Sequence, residues 1–257
     1  MHAIEIERLT KTFRQRGGGR VRAVRGISFC VEQGELFALL GVNGAGKTTT
    51  IRMLTGLIRP DGGMARVLGY DLVKDPVQIK RISGSSPQET AVAPLLTVRE
   101  NLELTAGLYG YGKKEAADRA SRMMGRLRLT DVADRRAGKL SGGYAHRLSI
   151  GMGLISEPKI LYLDEPTMGL DVLSRRELWD IIRELKGEVT IILTTHHMEE
   201  AEVLADRVGV MVSGRLREIG SVGELCARTE THTLEDAFVA IATGKPTAGE
   251  GRKEERT

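Results

Sequence analysis

Gly41-Val-Asn-Gly-Ala-Gly46-Lys47-Thr48 satisfies every fixed position of the pattern GxxxxGK[ST]. An apolar run, Leu36–Leu40, precedes it, and Ile51, Leu54, Leu57 and Ile58 follow at helical spacing. A strand, a tight loop and a helix in this order define an α/β sheet whose loop closes around a phosphate. The glycines let backbone N–H groups turn inward on a polyphosphate, and the helix presents its partly positive N-terminus to the same anion. Asn43, Gly44, Ala45 and Gly46 then form the cradle. Lys47 reaches the β- and γ-phosphates, and the Thr48 hydroxyl, with Thr49 beside it, faces Mg²⁺. A glycine-rich turn beside an unrelated lysine is the simpler alternative, and the correct flanks argue against it.

The chain has 257 residues, 41% of them hydrophobic and 28% charged, enough for one large α/β core with or without an insertion. No stretch reaches the apolar length of a membrane span, and the N-terminus shows no apolar leader, so the expected place is the cytosol. Cys30 and Cys226 are too few for a disulfide framework and fit no metal spacing, which makes them packing residues. The net charge of +4 decides little, because an arginine-rich loop at 14–20 contributes to it.

Strand-like runs occupy 3–9 and 21–40. From about 90 to 156 the pattern turns helical, opening with the capping-box signature Thr97-Val-Arg-Glu100, and it looks like an insertion between two halves of a sheet. Ile160–Leu163 and Val189–Leu193 are short continuous apolar runs, as expected for parallel strands buried on both faces. Between them Ser174-Arg-Arg-Glu177 is expected to cap a helix. A Ser213-Gly214 turn suggests a closing hairpin, and Ser221 and Thr233 each open a short final helix. From Gly244 onward the chain is polar and charge-rich, which predicts disorder.

A phosphate loop says only that a nucleotide is held. Asp164 and Glu165 add two carboxylates at the end of a buried strand, where ligands collect in open α/β sheets. Asp164 would hold Mg²⁺ and Glu165 would polarise the water that attacks the γ-phosphate. Leu140-Ser141-Gly142-Gly143 supplies a second helix start, with Ser141 at the cap and two glycines beside it, open to an anion. With these motifs in this order, the chain resembles the nucleotide-binding subunit of an ABC transporter over roughly residues 3–242.

The resemblance implies a P-loop NTPase core of the RecA type, with an antiparallel β subdomain and an inserted α-helical signature subdomain. It implies an ATP-binding domain over 1–243, with the core at 1–89 and 157–220, the helical block at 90–156 and short C-terminal helices at 221–243, before the tail at 244–257. Gly41–Thr48 matches the Walker A loop, and Gln88 matches the loop glutamine that touches Mg²⁺. Ser141–Gly143 matches the signature, and Asp164 and Glu165 match Walker B and the catalytic glutamate. Asp171 matches the D-loop, His196 the switch histidine, and Phe13 the aromatic that stacks on adenine. Read alone, Phe13 is an edge-strand packing residue, Gln88 an ordinary loop residue and His196 a strand-end histidine. In this family two subunits meet head to tail around two ATP molecules, and their closure drives separate multi-span membrane subunits. The implied partners are therefore such permeases and a second copy of the chain, with no nucleic acid, and the place is the inner face of the membrane.

Two positions depart from the pattern. Tyr144 stands where the family has glutamine, which is expected to tune closure or rate, and Val42 replaces a common proline. Ser86-Pro-Gln, the stretch from Thr194 to Ala201 and the short tail lean toward the bacterial exporter-type subfamily for drugs, polysaccharides or lipids. Leu95–Tyr111 is the segment expected to receive the membrane subunit's cytoplasmic helix. The competing reading is a soluble ATPase of the same core, serving cofactor assembly or nucleic-acid maintenance. The compact helical block argues against long coiled-coil chromosome proteins, and no basic stripe with interleaved aromatics appears.

Overall fold

The computed structural model describes residues 1–14 and 17–244. The middle of the arginine-rich loop and the expected tail beyond Gly244 lie outside the described residues.

Alternation interrupted by bulges builds the first sheet. In β1 (His2–Arg14), Ile4 and Ile6 are buried while Glu5 and Glu7 face outward, and β2 (Arg20–Glu32) buries Val24, Ile27, Phe29 and Val31. After β3 (Leu36–Leu40) and α1 (Lys47–Leu54), β4 (Gly62–Val67) and β5 (Tyr70–Asp71) complete it. The order is β2-β1-β4-β5, antiparallel throughout.

The second sheet is centred on β3. The chain continues through α2 (Pro76–Ile82), β6 (Ser83–Ser86) and the helical block α3 (Val98–Leu108), α4 (Lys113–Arg126) and α5 (Gly142–Leu154). It then returns as β7 (Ile160–Asp164), α6 (Val172–Leu185), β8 (Thr190–Thr195), α7 (Met198–Leu204), β9 (Arg207–Val212) and β10 (Arg215–Gly220), and closes with α8 (Val222–Thr229) and α9 (Leu234–Thr243). The strand order is β10-β9-β3-β8-β7-β6, with only the β9–β10 hairpin antiparallel. This P-loop α/β architecture, with its antiparallel sheet and helical insertion, is the fold expected from the sequence.

β3 is buried on both faces and splits its side chains between two cores. Leu36, Ala38 and Leu40 join the cluster of α3–α6, whereas Phe37 and Leu39 join the cluster under the antiparallel sheet and α1. Each such Leu or Phe contributes about 1.5–3 kcal/mol on burial, and together they hold the sheet between its two covers. Because β3, β6, β7 and β8 run parallel, Gly41, Pro87, Glu165 and His196 all emerge at one edge of the sheet.

Two local expectations are corrected. α1 ends at Leu54 and Leu57 is 68% exposed, so the helix stops short of that residue, although Ile58 still packs against the core. Ser174 does not cap α6. Asp171 does, its Oδ1 accepting the N–H groups of Leu173 and Ser174 at 3.0 Å each. A charged acceptor at the positive end of the helix outcompetes the hydroxyl and starts the helix three residues earlier. Ser174, now inside the first turn, donates its own hydroxyl to Asp171 Oδ2 at 2.7 Å.

β6 was not anticipated, since Ser-Gly-Ser-Ser has no strand propensity. It forms because β7 offers a parallel edge and α5 packs closely over it. A Cβ on Gly84 would collide with the Gly153 carbonyl of α5. Gly84→Ala is therefore expected to destabilise the fold by about 1–3 kcal/mol, read as a lowered midpoint in urea unfolding, whereas the exposed Gly107→Ala should leave it unchanged or raised.

Candidate nucleotide site

The loop after β3 enters α1 through Gly46, whose φ of 106° belongs to the left-handed region that suits glycine. No side chain caps α1, which leaves its first N–H groups directed at the loop's concave side. The loop opens on a cleft of about 660 Å³ lined by Phe13, Asn43, Gly44, Ala45, Gly46, Lys47, Thr48, Thr49, Gln88 and Glu165. Phe13 stands at its rim, 41% exposed, with Lys11 Nζ 5.6 Å from the ring centroid.

Lys47 is 4% exposed and holds the loop together from within. Its Nζ donates to the Gly41 carbonyl at 2.7 Å and the Val42 carbonyl at 3.3 Å, and lies 3.1 Å from Glu165 Oε1. The other oxygen of Glu165 is 2.6 Å from His196 Nδ1. Glu165 takes a φ of 50°, and its N–H donates to the Thr194 carbonyl at 3.0 Å. This left-handed backbone turns the carboxylate into the cleft, between the ammonium and the imidazole.

Asp164 Oδ1 accepts the hydroxyls of Thr48 at 3.0 Å and Thr194 at 2.5 Å. Gln88, on the loop after β6, lines a pocket with Asp164 and donates Nε2 to Met168 Sδ at 3.0 Å. The walls of the cleft thus present a carboxylate, a hydroxyl and an amide. The ring of His197 lies tilted against that of His196, with centroids 4.1 Å apart. Burial first, and then the charge of its neighbours His196 and Arg175, lowers its pKa.

Ser141, Gly142, Gly143 and Asp171 do not line this cleft. Ser141 occupies the N-cap of α5 with extended backbone, and its hydroxyl makes no capping bond, contrary to the capping role expected of it. Gly143 packs against α6, where a Cβ would lie 3.0 Å from Ser174 Oγ. Asp171, held below the usual carboxylate range by the Ser174 N–H and hydroxyl, sits beside this turn. The chain therefore carries two separate open helix starts, one at α1 and one at α5.

Tyr144 turns away from the α5 terminus. Its hydroxyl donates to Asp131 Oδ2 at 2.8 Å and its ring lies under the Arg147 guanidinium at 4.4 Å, while Arg147 reaches Glu177 of α6 at 3.2 Å. Sequence reasoning missed Val21, Arg22, Ala23, Arg25 and Ser213, which also line the cleft. Nothing in a strand pattern separates the first four from other β2 residues, and Ser213 reads only as a turn residue between β9 and β10. Only the passage of β2 past the phosphate loop does so.

A parallel sheet with this loop after β3, and an acidic pair at the end of β7 one strand removed, defines a P-loop nucleoside triphosphatase. The family model for the ABC transporter matches residues 24–168, more than half of the chain, and the chain belongs to that family as an ATP-binding ATPase domain. The human phospholipid-transporting ATPase ABCA3 is 43% identical over 218 residues, covering 85% of this chain and 13% of that protein. ABC transporter A family member 5 of Arabidopsis thaliana is 45% identical over 231 residues, covering 88% of this chain and 25% of its own length. This chain thus spans no more than about a quarter of these curated relatives. Among solved structures, an ATP-binding subunit of an ABC transporter aligns with a TM-score of 0.80 at 27% identity, over 93% of this chain and 99% of that one. A dimeric ATP-binding cassette in a post-hydrolysis state with ADP and Pi shares the fold, with a TM-score of 0.77 at 23% identity over 85% of this chain and 98% of that one.

Proposed function

We propose that this chain hydrolyses ATP in a head-to-tail dimer and thereby drives transport, in the export direction, through separate membrane subunits. The observation that carries this reading is the pair of open helix starts on one chain, at Gly41–Thr48 and at Ser141–Gly143. Ser141–Gly143 do not line the cleft of the phosphate loop, and two such starts on one chain make sense when each completes a partner's site. The dimeric relative solved with ADP and Pi supports the assembly.

In this reading Phe13 stacks on adenine, and Asn43–Thr49 wrap the phosphates with backbone N–H groups. Lys47 neutralises phosphate charge. Glu165 accepts hydrogen bonding from the attacking water, and His196, 2.6 Å from it, fixes the orientation of the carboxylate. Ser141, Gly142 and Gly143 present N–H groups and a hydroxyl to the γ-phosphate held by the opposite copy, and Asp171 lies at the seam. The oxygens of Thr48, Asp164 and Gln88 are the hard donors Mg²⁺ takes, and when bound it supplies charge compensation at the phosphates.

The site has a membrane-facing neighbour. A groove of about 440 Å³ lies between α1, β6 and the helical block, lined by Leu57, Pro87, Tyr109 and Met152. Leu108, 80% exposed, and Leu95, 78% exposed, stand on the same helical block. We assign this face to a cytoplasmic helix of the membrane subunit. Among the described residues no helix is long and apolar enough to cross a membrane. The phospholipid-transporting relative supports a lipid cargo. Leu108→Asp should leave ATP affinity unchanged and abolish stimulation of turnover by the membrane partner in proteoliposomes. Co-purification of a soluble partner or of DNA in place of a multi-span membrane protein would overturn the transport reading.

A further inference from the structure

Glu200, on α7 and four residues beyond His196, is the most deeply buried carboxyl among the described residues, with no exposed surface. Its Oε1 accepts the indole N–H of Trp179 on α6 at 3.1 Å. Its other polar neighbours are the hydroxyls of Thr195, which immediately precedes His196, and Thr167, two residues after Glu165. Oε2 and Thr167 Oγ1 are both buried without a well-formed hydrogen bond.

The surroundings offer no counter-charge at contact distance. Arg175 of α6 pairs with Glu199 at 3.9 Å and acts on Glu200 only from farther off, favouring its ionised form. On Glu200's own segment stand His197 and Glu199. β3 faces α7 with apolar residues only, β8 with Thr194 and Thr195, and α9 meets it through the Leu234 N–H bound to Glu202 at 3.1 Å. An ionised carboxylate at this position would be fully buried with no ion-pair partner among the described residues, and burial outweighs the indole and hydroxyl donors that favour the charge. A neutral carboxyl instead carries one O–H of its own, which can donate to Thr167 Oγ1 where the ionised form could only accept from that hydroxyl.

We propose that Glu200 is a positioning residue: a neutral carboxyl that ties the loop after Glu165 to the strand end before His196, setting the reach between those two side chains. It acts through Thr167 and Thr195 and touches no reacting atom. Burial moves its acidity in the direction this requires, raising its pKa from the ordinary glutamate value. Because the folded pKa is the higher one, the stabilisation is fully present below the unfolded value. It is lost as the pH rises through the folded one.

The inference rests on the hydrolytic role of Glu165 and His196, and its test separates the two. Trp179 is the only tryptophan of the chain, so its emission reports directly on Glu200. In the full-length chain, emission should titrate with pH above the usual glutamate range. Glu200→Gln, which preserves both the acceptor for Trp179 and a donor for Thr167, should remove that titration and keep ATP turnover within about twofold of the wild type. Glu200→Ala, assayed at a temperature where circular dichroism shows it folded, should keep ATP affinity and lose turnover by about tenfold to a hundredfold. Equal inactivity of the Gln and Ala variants would mean that the negative charge is required, and would overturn the proposal. Full turnover in folded Glu200→Ala would reduce Glu200 to a packing residue. If the wild type itself failed to hydrolyse ATP, the hydrolytic reading would fall, while the emission titration would still decide whether Glu200 is neutral.

Discussion

Glu165→Gln should bind ATP as the wild type does, lose hydrolysis by about a hundredfold to ten-thousandfold, and accumulate as a closed dimer with ATP. The carboxylate is 6% exposed and held between Lys47 Nζ at 3.1 Å and His196 Nδ1 at 2.6 Å. Glutamine has the same shape and can occupy the same left-handed backbone, so the cleft keeps its form. What it loses is the charge that aligns and polarises water, since a neutral amide is a far weaker base. Binding is expected to survive because the backbone N–H groups proposed to hold the phosphates belong to Gly41–Thr49, and Glu165 touches that loop only through Lys47. Single-turnover hydrolysis with size-exclusion chromatography in ATP measures both outcomes. Turnover near the wild-type rate would remove Glu165 from the chemistry.

Lys47→Ala should act on both binding and stability. Each charge-assisted hydrogen bond from the ammonium is worth about 1.5–3 kcal/mol, so ATP affinity should fall by about tenfold to a hundredfold or more. The second effect comes from Glu165, which would lose its ammonium partner while still buried. Removing one member of a buried pair costs about 3–5 kcal/mol, with the lower end applying here because His196 remains beside the carboxylate. The Gly41 and Val42 carbonyls also lose the donor that draws the loop closed. A double variant, Lys47→Ala with Glu165→Gln, leaves no charge stranded and should be more stable than Lys47→Ala alone. Urea unfolding of the set decides this. If the double variant were no more stable, the pairing of Lys47 with Glu165 would contribute nothing to the fold.

Much of this molecule is legible from local pattern. The runs at 36–40, 160–163 and 189–193 form buried parallel strands because nothing else buries both faces of a short apolar segment. The capping boxes at Thr97 and Ser221 start helices where expected. Other features stay hidden because they depend on distant partners. β6 becomes a strand only beside β7 and under α5. Asp171 displaces Ser174 as a cap because two local solutions competed and the charged one won. Ser141 keeps its cap position without using its hydroxyl there, a distinction that spacing cannot express.

The sequence by itself determined the class of this protein. A phosphate loop, a signature turn, an acidic pair and a strand-end histidine stand in order, each in the flanking pattern that gives it a backbone shape. Tertiary structure alone decided which of these groups meet. The pairing of Leu40 with Thr195 and of Asp164 with Thr194 in parallel register brings His196 and Lys47 onto one carboxylate from opposite sides. The same packing buries Glu200 beneath Trp179 without an ion-pair partner of its own among the described residues, while Arg175 pairs with Glu199. Local sequence dictates φ, ψ and the side of a strand a residue faces. Which charge lies 3 Å from which is set by sheet order and register, and these arise from the whole chain burying its apolar faces at once.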